Sequence, residues 1–184
     1  KDRVHAICGI DLPEDGTSEK NIYFKKLTEA NDLGKEGYIL SVDKQSITVS
    51  ANEPNGIFYG VQTLLQLLSV DSTKDIPCCL ITDKPRFAWR GYMLDLARMF
   101  YPVEFVKKHI DILALHKMNT LHLHLTDDEG GWRIEIKKYP LLTEKGAWRK
   151  DIKSMEPGYS PDDRRYGGFY TQDEMKELVH YAAE

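Results

Sequence analysis

Lys117-Met118-Asn119-Thr120-Leu121-His122-Leu123-His124-Leu125-Thr126-Asp127-Asp128 is the stretch on which the fold turns. Leu121, Leu123 and Leu125 alternate with His122 and His124. Side chains two apart on a strand share a face, so the pattern predicts a strand over Thr120–Leu125, with the leucines on one side and both histidines on the other. The strand runs directly into Asp127, Asp128 and Glu129, the densest polar cluster of the chain. Reading back 29 residues from Thr120 reaches Gly91, where Gly91–Leu96 forms a second short apolar run. Between the two, Pro102 opens a helical pattern with Val103, Val106, Ile110 and Leu113 on one face. Proline suits a first helical turn because its missing N–H would have no partner there. Strand, helix and strand at this repeat length make a βαβ unit with parallel strands.

Further downstream, a long loop ends at Thr171-Gln172-Asp173-Glu174, a capping box with a hydroxyl at the cap and a glutamate three residues on. Met175, Leu178, Val179 and Ala182 then form a helical stripe. Upstream the rhythm differs. Val4–Ile10 reads as a strand and Leu12–Lys20 as a polar loop. Tyr38, Leu40 and Val42, then Ile47, Val49 and Ala51, are two alternating runs around Asp43–Ser46, which predicts a β-hairpin. Ile57, Val61, Leu64, Leu65 and Leu68 give one apolar helix face, ending at Ser69–Lys74, and Ile76–Ile81 is expected as another strand. Thr82-Asp83-Lys84-Pro85 marks a boundary. The expected fold is therefore α/β. A small α+β accessory domain occupies residues 1–84, itself short at its N-terminal end, and residues 85–184 form the first two βα units of a (β/α)8 barrel. Two such units do not close a barrel and leave strand edges open, so the chain is expected to be the front of a longer protein.

Bulk properties narrow the function. The 184 residues are 41% hydrophobic and 29% charged, with a net charge of −4 and both signs spread along the chain. No basic face exists to neutralise phosphates, which argues against nucleic acid as a partner. No apolar run approaches the roughly 18 residues of a membrane span. Cys8, which stands alone, and the adjacent Cys78 and Cys79 fit neither a zinc spacing nor a disulfide framework, and Cys78 and Cys79 are expected as core residues.

In a (β/α)8 barrel, polar residues at the C-terminal ends of strands lie where active sites form. Asp95 and Arg98 follow the first strand; His122, His124, Asp127 and Asp128 finish the second. An arginine at a strand mouth suits recognition of hydroxyls or carboxylates. Each residue also has a plainer reading: an Asp95–arginine ion pair, a surface Arg98, interior histidines, an acidic turn at Asp127-Asp128. A third possibility is a metal centre, with His122 and His124 as imidazole ligands on one strand face and Asp127 as a further ligand. Trp89, Trp132, Trp148, Tyr159, Tyr166, Phe169 and Tyr170 include rings that would suit a pyranose platform, although most are expected to serve packing.

A family comes into view from Arg90 onward. Arg90-Gly91-Tyr92-Met93-Leu94-Asp95-Leu96-Ala97-Arg98 resembles the opening of family 20 glycoside hydrolase barrels, the β-N-acetylhexosaminidases. Lys117 to Asp128 resembles their second strand. Trp132-Arg133-Ile134-Glu135-Ile136, Tyr139-Pro140-Leu141-Leu142 and Tyr166-Gly167-Gly168-Phe169-Tyr170-Thr171 are similar to the segments that follow, in the same order. Gly56-Ile57-Phe58-Tyr59-Gly60 carries a weaker likeness to the domain preceding the barrel.

The resemblance implies an exo-acting enzyme that hydrolyses terminal N-acetylglucosamine or N-acetylgalactosamine from glycans by substrate-assisted, retaining catalysis, one of the exceptions to the two-carboxylate scheme. It implies that Arg98 binds hydroxyls of the terminal sugar, that Asp127 supports the catalytic network, and that His124 and Asp128 line the site. It also implies no metal or organic cofactor and a location outside the cytoplasm. The family's catalytic Asp-Glu pair belongs to a Gly-Asp-Glu motif near the fourth strand, which these residues lack. Asp128-Glu129 sits after the wrong strand, and Asp173-Glu174 belongs to the capping box. The pair is thus expected beyond Glu184, and the 184 residues alone are expected to be inactive. Glu129-Gly130-Gly131 stands where the family commonly has Gln-Gly, one residue fewer. Two alternatives stay open: a carbohydrate-binding degenerate barrel, and a metal-dependent barrel hydrolase using His122 and His124.

Overall fold

A computed structural model describes residues 21–69, 76–128, 130–150 and 165–183. The expected strand at Val4–Ile10, the loop to Lys20, Cys8, Glu129 and Tyr159 lie outside them. The described residues form two units. The first runs to Arg90 and takes in Ala114–Lys117; the second comprises Gly91–Leu113 and the residues from Met118 onward.

The first unit is a four-stranded sheet with a helix on it. Its strands are β1 (Asn21–Lys26), β2 (Tyr38–Val42), β3 (Ser46–Ala51) and β4 (Cys79–Asp83), and its helix is α1 (Pro54–Ser69). The spatial order is β1-β3-β2-β4. β2 and β3 form the expected antiparallel hairpin, pairing Leu40 with Val49. Asp43 closes its turn, Oδ1 accepting the N–H groups of Gln45 and Ser46, both at 2.7 Å. The alternation also sorts the faces as expected: Tyr38, Leu40 and Val42 are buried with Val49 and Ala51 against Tyr59 and Leu64 of α1.

Three expectations for this unit need correction. β1, parallel to β3, was not foreseen. β4 begins at Cys79 rather than Ile76, leaving Cys78 exposed while Cys79 packs against the core. The buried face of α1 is also wider than the apolar stripe: Leu64 and Leu65 are buried and Ile57 and Leu68 pack half-buried on the core, but Tyr59, Gly60 and Gln62, outside the stripe, are buried as well. The cause is close approach. A Cβ on Gly60 would lie 2.4 Å from Val49 Cγ1, so the helix meets the sheet through its smallest residue as well as through Tyr59 and Leu64.

Lys117 also belongs to this unit. Lys117 N–H donates to Ala114 O at 2.9 Å and Met118 N–H to Leu113 O at 2.8 Å, the paired bonds of a Schellman helix end. That motif places Lys117 at φ +56°, a conformation usually taken by glycine. The side chain is held in return: Nζ donates to Tyr38 Oη at 2.6 Å and to Asp83 Oδ2 at 2.9 Å.

In the second unit, β5 (Gly91–Asp95) and β6 (Thr120–His124) are parallel neighbours joined by α2 (Val103–Leu115). Their register pairs Gly91 with Thr120 and Asp95 with His124, the offset read from the sequence repeat. Leu94, Leu96, Val106, Tyr170 and Leu178 form the core, with Leu121, Leu123, Leu125 and Met175 packed on it. The capping box forms as expected before α4 (Gln172–Ala183): Thr171 Oγ1 accepts Glu174 N–H at 3.2 Å, and Glu174 Oε2 accepts Thr171 N–H at 2.7 Å. Val179, expected in the helix stripe, is 68% exposed, because α4 packs through Met175 and Leu178. The region read as one long loop contains a helical turn, α3 (Leu141–Glu144), and an antiparallel pair, β7 (Trp148–Lys150) with β8 (Arg165–Gly167). Among the described residues no helix is long and apolar enough to cross a membrane.

Candidate functional site

The site is built where β5 and β6 end. Leu96 N–H donates to His124 O at 3.0 Å, so the two chains leave the sheet side by side. After β5 the backbone bends, and Asp95 holds the bend: its Oδ1 accepts the N–H groups of Ala97 and Arg98, each at 3.0 Å. Its other oxygen accepts Arg98 Nη1–H at 2.6 Å. The Asp95–arginine pair weighed from sequence is therefore present, with Arg98 as its partner. Partial burial pushes the Asp95 carboxyl upward, but the Arg98 amide, the Arg98 guanidinium and the Ala97 amide outweigh it and hold the group below the ordinary 3.8.

The second guanidinium arm reaches the other strand. Arg98 Nη2 lies 2.9 Å from Asp127 Oδ2, and His124 Nε2 lies 2.9 Å from the same oxygen. An ionised carboxylate only accepts, so His124 carries its proton on Nε2 toward Asp127. The Asp127 side chain is 10% exposed and that of Arg98 53%. A largely covered carboxylate thus fixes one edge of a guanidinium whose other surface meets solvent. His122 shares the face of His124, as the alternation predicts, and is exposed opposite Met93 in the register. Asp128, next along, is exposed.

Behind this cluster stands Arg133, fully buried. Nε donates to Leu96 O at 3.1 Å and Ala97 O at 3.2 Å, Nη2 to Ala97 O at 2.9 Å, and Nη1 to Ala147 O at 2.6 Å and Gly168 O at 3.1 Å. Burial works against its charge and lowers its pKa. Arg149, on β7, donates from Nη2 to the carbonyl of Arg98. Sequence reasoning did not single out either arginine. The available signal was that Arg133 stands between Trp132 and Ile134, with Ile136 two residues further on.

Among the described residues no three His, Cys, Asp or Glu side chains come together as ligands. His124 is committed to Asp127 through Nε2, and His122 projects from the strand as an exposed residue.

Comparison with known proteins places this geometry. Residues 87–184 match the catalytic domain of glycosyl hydrolase family 20, and residues 1–84 match domain 2 of the same family. The chain belongs to glycosyl hydrolase family 20. A beta-hexosaminidase of Vibrio furnissii is 50% identical over 153 residues, which is 83% of this chain and 25% of that protein. The N,N'-diacetylchitobiase of Vibrio harveyi is 38% identical over 159 residues, 82% of this chain and 18% of that protein. Among solved structures, the family 20 exo-beta-N-acetylglucosaminidase of Vibrio harveyi in complex with N-acetylglucosamine superposes with a TM-score of 0.83 at 43% identity, over 99% of this chain and 28% of that one. The chain spans about a quarter of the length of such relatives. As a family 20 chain, its second unit is the opening of a (β/α)8 barrel, and β5 and β6 are that barrel's first two strands.

Proposed function

We propose that the protein carrying this chain is an exo-acting β-N-acetylhexosaminidase, releasing terminal N-acetylglucosamine or N-acetylgalactosamine from glycans with substrate-assisted retention of configuration. The observation that carries the reading is the Arg98 guanidinium, gripped by Asp95 and Asp127 at the mouths of two adjacent parallel strands and still half-exposed. A sugar hydroxyl can accept from a guanidinium and donate to a carboxylate, and this cluster offers both side by side. Arg98 and Asp127 are assigned to the terminal sugar, with His124 orienting Asp127 and Asp128 lining the site. The names borne by the family 20 relatives support the same substrate class.

In this reading the chain supplies sugar recognition, and the acid/base carboxylate and its orienting aspartate come from a Gly-Asp-Glu motif that these 184 residues do not contain. Full-length protein is expected to release p-nitrophenol from its N-acetyl-β-glucosaminide, with activity unchanged by a chelator. The 184-residue polypeptide alone is expected to release none. Binding of N-acetylglucosamine by the full-length protein without hydrolysis would replace the enzyme reading with a carbohydrate-binding barrel.

A further inference from the structure

The buried Arg133 has a task that its burial alone does not explain. A buried guanidinium is costly unless its donors are met, and it is met here by carbonyl oxygens; among the described residues no carboxylate pairs with it. Those carbonyls are not scattered. Three of its five hydrogen bonds go to Leu96 and Ala97, the two residues immediately before Arg98. The other two go to Ala147 and Gly168, which flank the β7–β8 pair. β7 carries Arg149, whose guanidinium holds the carbonyl of Arg98 itself. Arg133's own backbone is anchored on the second strand's exit, its N–H donating to Leu125 O at 2.9 Å. Through its N–H and its planar fork together, Arg133 therefore ties the exit of β6 to the backbone that presents Arg98.

We propose that Arg133 is a positioning residue for sugar recognition: by fixing the carbonyls of Leu96 and Ala97 it sets the point from which Arg98 reaches Asp127 and the terminal sugar. The inference rests on the assignment of Arg98 made above. A lysine cannot replace it, because a single ammonium lacks the fixed fork that meets carbonyls on three sides. Displacement of a binding group by about 1 Å costs on the order of a hundredfold in rate, so loosening this backbone should be felt at the site.

The test is a double-mutant cycle in the full-length protein, with Arg98→Met, Arg133→Met and the pair. kcat and KM would be read with p-nitrophenyl N-acetyl-β-glucosaminide, below the melting temperature of each variant. Arg133→Met is expected to raise KM roughly tenfold with a smaller change in kcat, the signature of lost sugar binding. Once Arg98 is gone, Arg133→Met should add less than about threefold, because the two residues act through one another. Losses that multiply in full would make Arg133 a general structural residue and overturn the proposal. If Arg98→Met alone leaves KM unchanged, the assignment of Arg98 falls first, and the proposal with it.

Gly131→Ala gives a second route without deleting the guanidinium. A Cβ there would lie 2.7 Å from Arg133 Cζ and Nη1, forcing the fork to shift. If Arg133→Met does not fold, the same cycle is run with Gly131→Ala, with the same expected coupling to Arg98. Failure of both variants to fold assigns Arg133 to stability alone and overturns the proposal.

Discussion

Arg98 and Asp127 stand 29 positions apart in the chain and 2.9 Å apart in space, Nη2 against Oδ2. Parallel pairing of β5 and β6 brings them together, since the register that sets Asp95 opposite His124 also carries the residues just beyond each strand to a common mouth. Arg98 bridges Asp95 and Asp127 with separate arms, a demand that a fork meets and a point charge does not. Arg98→Lys and Arg98→Met should therefore behave alike in the full-length protein. Each is expected to lower kcat/KM for the N-acetylglucosaminide by about a hundredfold, chiefly through KM. A lysine variant with near-native KM would show that the bridge is dispensable.

Acid should loosen the bend after β5. The Asp95 carboxyl titrates below its ordinary 3.8 in the folded protein. A lowered folded pKa contributes stability that is complete above the unfolded value and is lost as pH falls through the folded one. Asp83, lowered by Lys117 and Tyr38 against the opposing effect of its burial, adds in the same direction. Melting temperature followed downward from about pH 5 should therefore fall more steeply in the native protein than in Asp95→Asn. Parallel curves for the two would refute the assignment.

Gly60 sets two effects against each other. In an exposed helix interior, glycine to alanine stabilises by about 1 kcal/mol. Here the added methyl would meet Val49 Cγ1 at 2.4 Å, and overpacking of that kind costs ~1–3 kcal/mol. Steric cost should win, so Gly60→Ala is expected to be less stable in chemical denaturation. A stabilised variant would mean that α1 can ride away from the sheet freely.

Lys117 pays a conformational cost for a position glycine would occupy without strain. Lys117→Gly and Lys117→Met both lose the contacts to Tyr38 and Asp83, but only the methionine keeps the left-handed backbone penalty. The glycine variant should thus be the more stable of the two by about 1 kcal/mol. Equal unfolding free energies would indicate that the backbone relaxes once the side-chain anchor is gone.

Much of the architecture could be read before any coordinates, and the misses have physical causes. β5 and β6 were legible because alternation and a 29-residue repeat report the same thing independently. β1 was not: Ile22-Tyr23-Phe24 has no alternation, since the strand lies at a sheet edge with Tyr23 46% and Phe24 59% exposed. β7 and β8 span three residues each, too few for any period to register. In the site, Arg98, His124 and Asp127 stood out because a strand pattern delivered them to one end. Arg133 did not, since a charged side chain reads as exposed even between Trp132 and Ile134, and only the carbonyls around it reveal its burial.

The register of β5 against β6 has one more consequence. What brings Arg98 to Asp127 is hydrogen bonding between strands, while the connecting helix α2 contributes Val106 to the core. Residues inserted where α2 begins can bulge outward at small entropic cost, while the recognition cluster keeps its geometry. Related chains can in this way gain surface elaborations around a fixed cluster.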